Sequence, residues 1–367
     1  MRVDQYLPGF APHDAIGNHT LQIRRVLREA GYDSDIWAEH ILEPLGEEAR
    51  PYLEDTRRDR DRVLLFHTST SSPMSAWLEA RAGAGERLIG DYHNITPGAF
   101  FARWEPHIAT AMEAARQELA MLAPRVAMSF ADSGYNEAEL VELGYRSTRV
   151  CPLLVDLEEY HRRPDPAALD RLRRRRERPG AGAQWLFVGR VAPNKCQHDI
   201  VGAFAVYRRV FDPGARLTLV GGATSPGYLH AVERLAAQLG LGESLEILGH
   251  GVPGGELLAH WATADVFVCL SEHEGFNVPA LEAMELGVPV VAYAAAAVPE
   301  TLGGAGVLLA DKDPLTVAEA VDQACRPGPG RDRLVEAGKR RAAAFSLANT
   351  SKQLLAGVEA YLAESAP

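Results

Sequence analysis

The sequence predicts an α/β protein made of two doubly wound halves. Two observations carry this. Short apolar runs of strand length alternate with longer stretches of helical length, as a parallel sheet with covering helices requires. Residues 264–294 (ADVFVCLSEHEGFNVPALEAMELGVPVVAYA) show the pattern most clearly, reading strand, loop, helix, strand.

In the first half, DRVLLFH, ERLIGDYH and RVAMSFADS read as strands. GNHTLQIRRVLREAG and EPHIATAMEAARQELAML read as helices. The segment VCPLLVDLEEYHRRPDP, punctuated by Pro152 and Pro164, reads as a linker. The second half is more regular. QWLFVG, ARLTLVGG, SLEILGH, DVFVCLS, PVVAYA and GVLLA are strand-like, and HDIVGAFAVYRRV and YLHAVERLAAQLG are helical. The basic run Arg171–Arg178 (RLRRRRER) reads as a solvated helix beside the linker. No internal repeat or low-complexity tract is present.

Composition narrows the function. The chain has 367 residues, 47% hydrophobic and 24% charged, which is the profile of a globular protein of two or three domains. A net charge of −11 argues against general nucleic-acid binding. The longest apolar run, near 286–299, is short and broken by proline, so no membrane span is expected. The N-terminal MRVDQYLPGF has no signal-peptide core. Four cysteines far apart, with no CxxC, fit small core residues in a reducing cytoplasm. Arg greatly outnumbers Lys and Ala is abundant, which points to a GC-rich bacterial genome.

The chemistry is expected where parallel strands end, because open α/β sheets bind ligands there. In 264–294, DVFVCL reads as a strand buried on both faces. Pro279 suits the first turn of a helix, Gly287 its C-terminal cap, and Pro289 stops it. Glu274 therefore lies in a strand-end loop, beside Gly275, Phe276 and Asn277, and Glu282 lies in the following helix. Carboxylates accept paired hydroxyls, and helix N–H groups suit phosphate. A nucleoside diphosphate sugar carries both. The plain alternative is a solvated Glu274 and a Glu282 that only complements the helix dipole. Earlier in the chain, FVGRVAPNK places Arg190 and Lys195 after another strand, where a guanidinium fork and an ammonium suit a diphosphate. His93 ends the strand in LIGDYHNITP, and His67 lies similarly in LLFHTSTSS. Each reads either as a group that orients a hydroxyl or as a structural histidine. In HDAIGNH (13–19), Gly17 permits close backbone approach, or Asn18 caps the following helix. His13 and His19 have no assigned role. Gly249 in LEILGHGV ends a further strand.

The E-x7-E spacing within EGFNVPALEAMELGVPVV resembles the donor-site signature of family 4 glycosyltransferases, which have the GT-B fold. The spacing of Arg190 and Lys195 resembles that family's phosphate clamp, and V-x-P-x-x-V-D its hinge. DYHNITP is similar to a subset that builds bacterial surface polysaccharides. The resemblance covers nearly the whole chain and is most specific from Trp185 to Leu309.

It implies two Rossmann-like domains facing a cleft. Residues 1–157 form the acceptor-side domain, with helix 347–367 packing back on it, and 158–346 form the nucleotide-sugar domain. It implies retaining transfer of a sugar from a UDP- or GDP-hexose to a small-molecule or glycan acceptor, without a metal or cofactor. Arg190 and Lys195 would stabilise the departing diphosphate, Glu274 would hold sugar hydroxyls, and Glu282 the ribose. His93 would position the sugar, Gly17 would approach the donor, and Gly249 would line the base pocket. One departure stands out: the family often has Gly where Asn277 stands, and Asn tolerates positive φ.

Asp33-Ser34-Asp35 is rejected as a metal-binding D-x-D, since a three-residue match lacks partners. No His/Cys spacing signals zinc. A G-x-S-x-G elbow and a strand-following G-x-G-x-x-G are both absent. Two other readings stay open: an epimerase acting on the donor alone, and a sugar-nucleotide-binding protein without turnover.

Overall fold

The computed structural model describes residues 1–12, 14–59 and 61–364. His13 lies outside the described residues. The chain divides into two compact units. Unit 1 holds Met1–Ala102, Pro106–Asp156 and the segment from Phe345, and unit 2 holds Arg103–Glu105 and Leu157–Ala344.

Unit 1 is a seven-stranded parallel sheet. Its strands are β1 (Arg2–Phe10), β2 (Ile36–Ile41), β3 (Arg50–Pro51), β4 (Arg62–Thr68), β5 (Arg87–Tyr92), β6 (Met128–Ala131) and β7 (Thr148–Val150), in the order β3-β2-β1-β4-β5-β6-β7. The strand order reverses between β1 and β4. Every residue of β4 is buried, because helices cover both faces of a parallel sheet. Alternate residues serve opposite cores. Leu64 and Phe66 join Tyr6, Leu88 and Tyr92 on one face. Val63 and Leu65 join Ile89 and Met128 on the other, where Leu354, Val358 and Tyr361 of the helix Leu347–Glu364 complete the packing.

β1 and β2 are not marked as strands by the sequence pattern. Pro8 and Gly9 interrupt β1, yet its ladder with β4 ends at Tyr6, so the missing Pro8 N–H breaks no bond on that side. At the far end of the sheet, Arg62 is fully buried and binds Asp4 (3.2 Å), Asp55 (2.5 Å) and Glu86 (3.1 Å), so the charge is compensated.

Unit 2 is a six-stranded parallel sheet. Its strands are β8 (Gln184–Val188), β9 (Arg216–Val220), β10 (Leu245–Leu248), β11 (Val266–Cys269), β12 (Val290–Tyr293) and β13 (Val307–Leu309), in the order β10-β9-β8-β11-β12-β13. The order reverses between β8 and β11. Trp185, Phe187, Phe204, Val266 and Val268 centre the core. The basic run is a largely exposed helix, as its composition implies. The helix Pro166–Arg176 is tied down by Arg171–Glu256, Arg175–Glu246 and Arg176–Asp265 ion pairs at 2.5, 2.6 and 2.8 Å.

Candidate functional site

The strand-order reversal in unit 2 determines which loops meet. The loop after β8 carries Arg190 and Lys195, and the loop after β11 carries Glu274. Because β8 and β11 are neighbours, the two loops leave the same edge of the sheet side by side. Three contacts join them. Glu272 N–H donates to the Asn194 carbonyl at 2.9 Å, and Asn194 Nδ2 donates to the His273 carbonyl at 3.1 Å. Lys195 Nζ stands 2.6 Å from Glu274 Oε2. The Glu274 carbonyl accepts from Ala297 N–H at 3.2 Å, and the Phe276 carbonyl accepts from Thr301 Oγ1. The loop is thus held at several points, and Glu274 is 8% exposed.

β8 and β9 also end very close together. A Cβ on Gly221 would stand 2.1 Å from the Gly189 carbonyl oxygen, and Gly221 has φ +148°, so only glycine fits. Arg190 follows at once. Its carbonyl accepts from Gln197 Nε2, and among the described residues its exposed guanidinium has no ion pair.

Asn277 has φ +75°, and its side chain accepts from Ala280 N–H at 3.3 Å. The departure from glycine thus keeps the left-handed turn and adds an N-cap to the helix Val278–Glu285. The Phe276 side chain is buried. Gly249 directly follows β10, with Leu229 3.3 Å from where its Cβ would be.

Glu282 is more enclosed than its position in the sequence implies. It is 6% exposed, with Tyr160 Oη donating to one oxygen at 2.7 Å and Trp261 Nε1 to the other at 3.2 Å. Burial lifts its carboxyl to about 7 against those two hydrogen bonds. Neither partner has a sequence signature, since Tyr160 is 122 residues away and Trp261 is 21.

In unit 1, Gly17 lies in the first turn of the helix Ala15–Glu29, not in a preceding loop. The helix is capped by Asp14, whose side chain accepts from Gly17 N–H at 3.1 Å, and Asn18 is inside it. A Cβ on Gly17 would meet the Ala11 carbonyl oxygen at 2.8 Å, so the close approach here is made by the chain's own backbone.

His93 is also enclosed. Nδ1 faces Asp132 at 2.9 Å, Nε2 faces His67 Nδ1 at 2.9 Å, and the side chain is 1% exposed. This occupancy runs against a ring free to grip a sugar. Burial alone would depress His93, but Asp132 and Asp91 outweigh it and hold the imidazolium up at about 9. Burial pushes His67 down to about 4. His93, His19 and His67 overcome the burial of Asp91 and hold its carboxyl well below the usual range. His19, Asp91 and Asp132 carry no motif, and only the fold assembles them.

The comparisons agree with this architecture. Residues 170–341 match the model described as "Glycosyl transferases group 1". This segment belongs to the group 1 glycosyl transferases. A D-inositol 3-phosphate glycosyltransferase of Geodermatophilus obscurus is 34% identical over 319 residues, covering 84% of this chain and 64% of that protein. A GDP-mannose-dependent alpha-(1-6)-phosphatidylinositol monomannoside mannosyltransferase of Mycobacterium tuberculosis is 35% identical over 201 residues, covering 52% and 49%. The chain spans less than two thirds of the length of these relatives.

Among solved structures, sucrose-phosphate synthase from Thermosynechococcus elongatus superposes with TM-score 0.77 at 19% identity, covering 100% of both chains. Anabaena HepE in complex with UDP-glucose superposes with TM-score 0.73 at 17% identity, covering 98% and 100%. The chain has the GT-B fold, with two α/β domains. Among the described residues, no helix is long and apolar enough to cross a membrane.

Proposed function

We propose that this chain transfers a hexosyl group from a nucleoside diphosphate hexose to an acceptor hydroxyl, with retention at the anomeric carbon. The observation that carries the reading is the 2.6 Å contact of Lys195 with Glu274 where the strand order of unit 2 reverses. A cation and a carboxylate fixed together match a donor that has a diphosphate on one side of the anomeric carbon and hydroxyls on the other. Lys195 and Arg190 bind the diphosphate and stabilise the charge that grows on it as the glycosidic bond breaks. Glu274 accepts hydrogen bonds from the sugar hydroxyls. Glu282 still has lone pairs for a ribose hydroxyl, held in place by Tyr160 and Trp261. The relatives' names, one GDP-mannose-dependent, support a hexose donor of this kind.

Incubation with UDP-glucose, UDP-N-acetylglucosamine and GDP-mannose, each with a panel of polyol and glycan acceptors, tests the reading. A glycoside with the donor's anomeric configuration, seen by NMR, is expected. Epimerised donor without product, or binding without turnover of any donor, would contradict it.

A further inference from the structure

Unit 1 contains a buried ligand set of its own. His67 Nδ1, His93 Nε2 and one oxygen of Asp91 converge from the ends of β4 and β5. The separations are 2.9 Å between the two nitrogens, 3.4 Å from His67 to Asp91 and 3.6 Å from His93 to Asp91. Ligand atoms around a tetrahedral zinc ion at ordinary bond lengths stand about 3.4 Å apart. We propose that His67, His93 and Asp91 bind a divalent transition ion of the zinc class.

The outer partners fix the chemistry of each ring. Gln5 Nε2 donates to the Thr20 carbonyl, so the Gln5 oxygen faces His67 Nε2 at 3.0 Å and takes its proton. This leaves His67 Nδ1 with a free lone pair. Asp132 accepts from His93 Nδ1 at 2.9 Å, which turns Nε2 inward. A carboxylate and an amide oxygen behind the two rings are the supports that metal-bound imidazoles use. His19 belongs to this outer set. Its Nδ1 accepts from Leu154 N–H at 2.8 Å, so its proton is on Nε2 and is donated to Asp91 at 3.0 Å. His19 therefore orients the carboxylate and is not a ligand. The other oxygen, Asp91 Oδ1, is buried without a partner among the described residues.

Asp91 and Asp132 are both buried here, and a dication would match the charge of two carboxylates. Any proton held between His93 Nε2 and His67 Nδ1 would leave to solvent on binding. Cys196, Asp199 and Glu272 form a second cluster, but Lys312 Nζ lies 2.5 Å from both of its carboxylates and already neutralises it.

The test uses untagged full-length protein loaded with zinc sulfate and dialysed exhaustively. Elemental analysis should find about one equivalent of zinc per chain. After stripping with dipicolinate, cobalt(II) should give visible d–d bands of the intensity expected for three protein ligands and one water, which zinc abolishes. Asp91→Asn and His67→Gln should lose both signals, with folding checked by circular dichroism. If either variant fails to fold, the wild-type cobalt spectrum decides. Wild-type protein with only trace zinc and no cobalt bands would overturn the proposal, as would folded variants that keep full zinc.

Discussion

Lys195 Nζ and Glu274 Oε2 are 2.6 Å apart although 79 residues separate them in the chain. The contact follows from sheet topology, because β8 and β11 lie side by side where the strand order reverses. Glu274→Gln keeps the shape and removes the charge. Turnover should fall by about 1.5–3 kcal/mol of transition-state stabilisation, in the range of hydrogen bonds to charged groups. Steady-state kinetics with the cognate donor read this directly, and a Gln variant with full turnover would remove Glu274 from the sugar subsite.

Arg190 is the exposed partner in the proposed clamp. Arg190→Ala should weaken both donor binding and turnover, with the larger loss in turnover, because negative charge on the phosphate grows in the transition state. Arg190→Lys should rescue only partly, since an ammonium cannot replace a bidentate fork. A solvated surface arginine would instead leave both quantities unchanged.

Glu282 links the linker segment to the site. Its folded carboxyl titrates at about 7, against 4.5 unperturbed, because it is buried. Between those values the folded state holds a proton that the unfolded chain has released. Stability is therefore fully present below about pH 4.5 and falls as pH rises toward 7, by about 3 kcal/mol in all. Glu282→Gln should flatten that fall. Urea unfolding at several pH values between 5 and 8 compares the two slopes, and equal slopes would disprove the linkage.

Asn277 combines φ +75° with a helix cap. Asn277→Gly keeps the backbone conformation and costs a few tenths of a kcal/mol, whereas Asn277→Ala loses the cap and strains the turn, about 2 kcal/mol together. Thermal unfolding should rank the proteins wild type, Gly, then Ala. A Gly variant less stable than Ala would show that the left-handed turn is not the constraint.

The α/β class and the second sheet were legible because β8, β11, β12 and β13 are almost wholly apolar runs between clear helices. β1 was not, since Pro8 and Gly9 mask a strand whose buried Asp4 and Gln5 also break the apolar pattern. The start of the first helix was misplaced because Asn18 is a good cap residue, yet Asp14 takes that role four residues earlier. Lys195 and Glu274 could each be picked out as strand-end residues, but their contact could not, since 79 residues separate them. The partners of Glu282 and the ring around Asp91 could not, because nothing local distinguishes Tyr160, Trp261, His19 or Asp132 from ordinary core residues. Only long-range packing brings them in.

Calorimetric titration with UDP and GDP alone, without the sugar, tests the central claim most directly. If Lys195 binds the diphosphate, Lys195→Ala should weaken the cognate nucleotide by about tenfold or more. Glu274→Gln should bind that nucleotide as tightly as wild type or tighter, because removing the carboxylate frees the Lys195 ammonium, while its affinity for the sugar conjugate falls. Unchanged nucleotide affinity in Lys195→Ala, or equal losses for nucleotide and sugar conjugate in Glu274→Gln, would contradict the account.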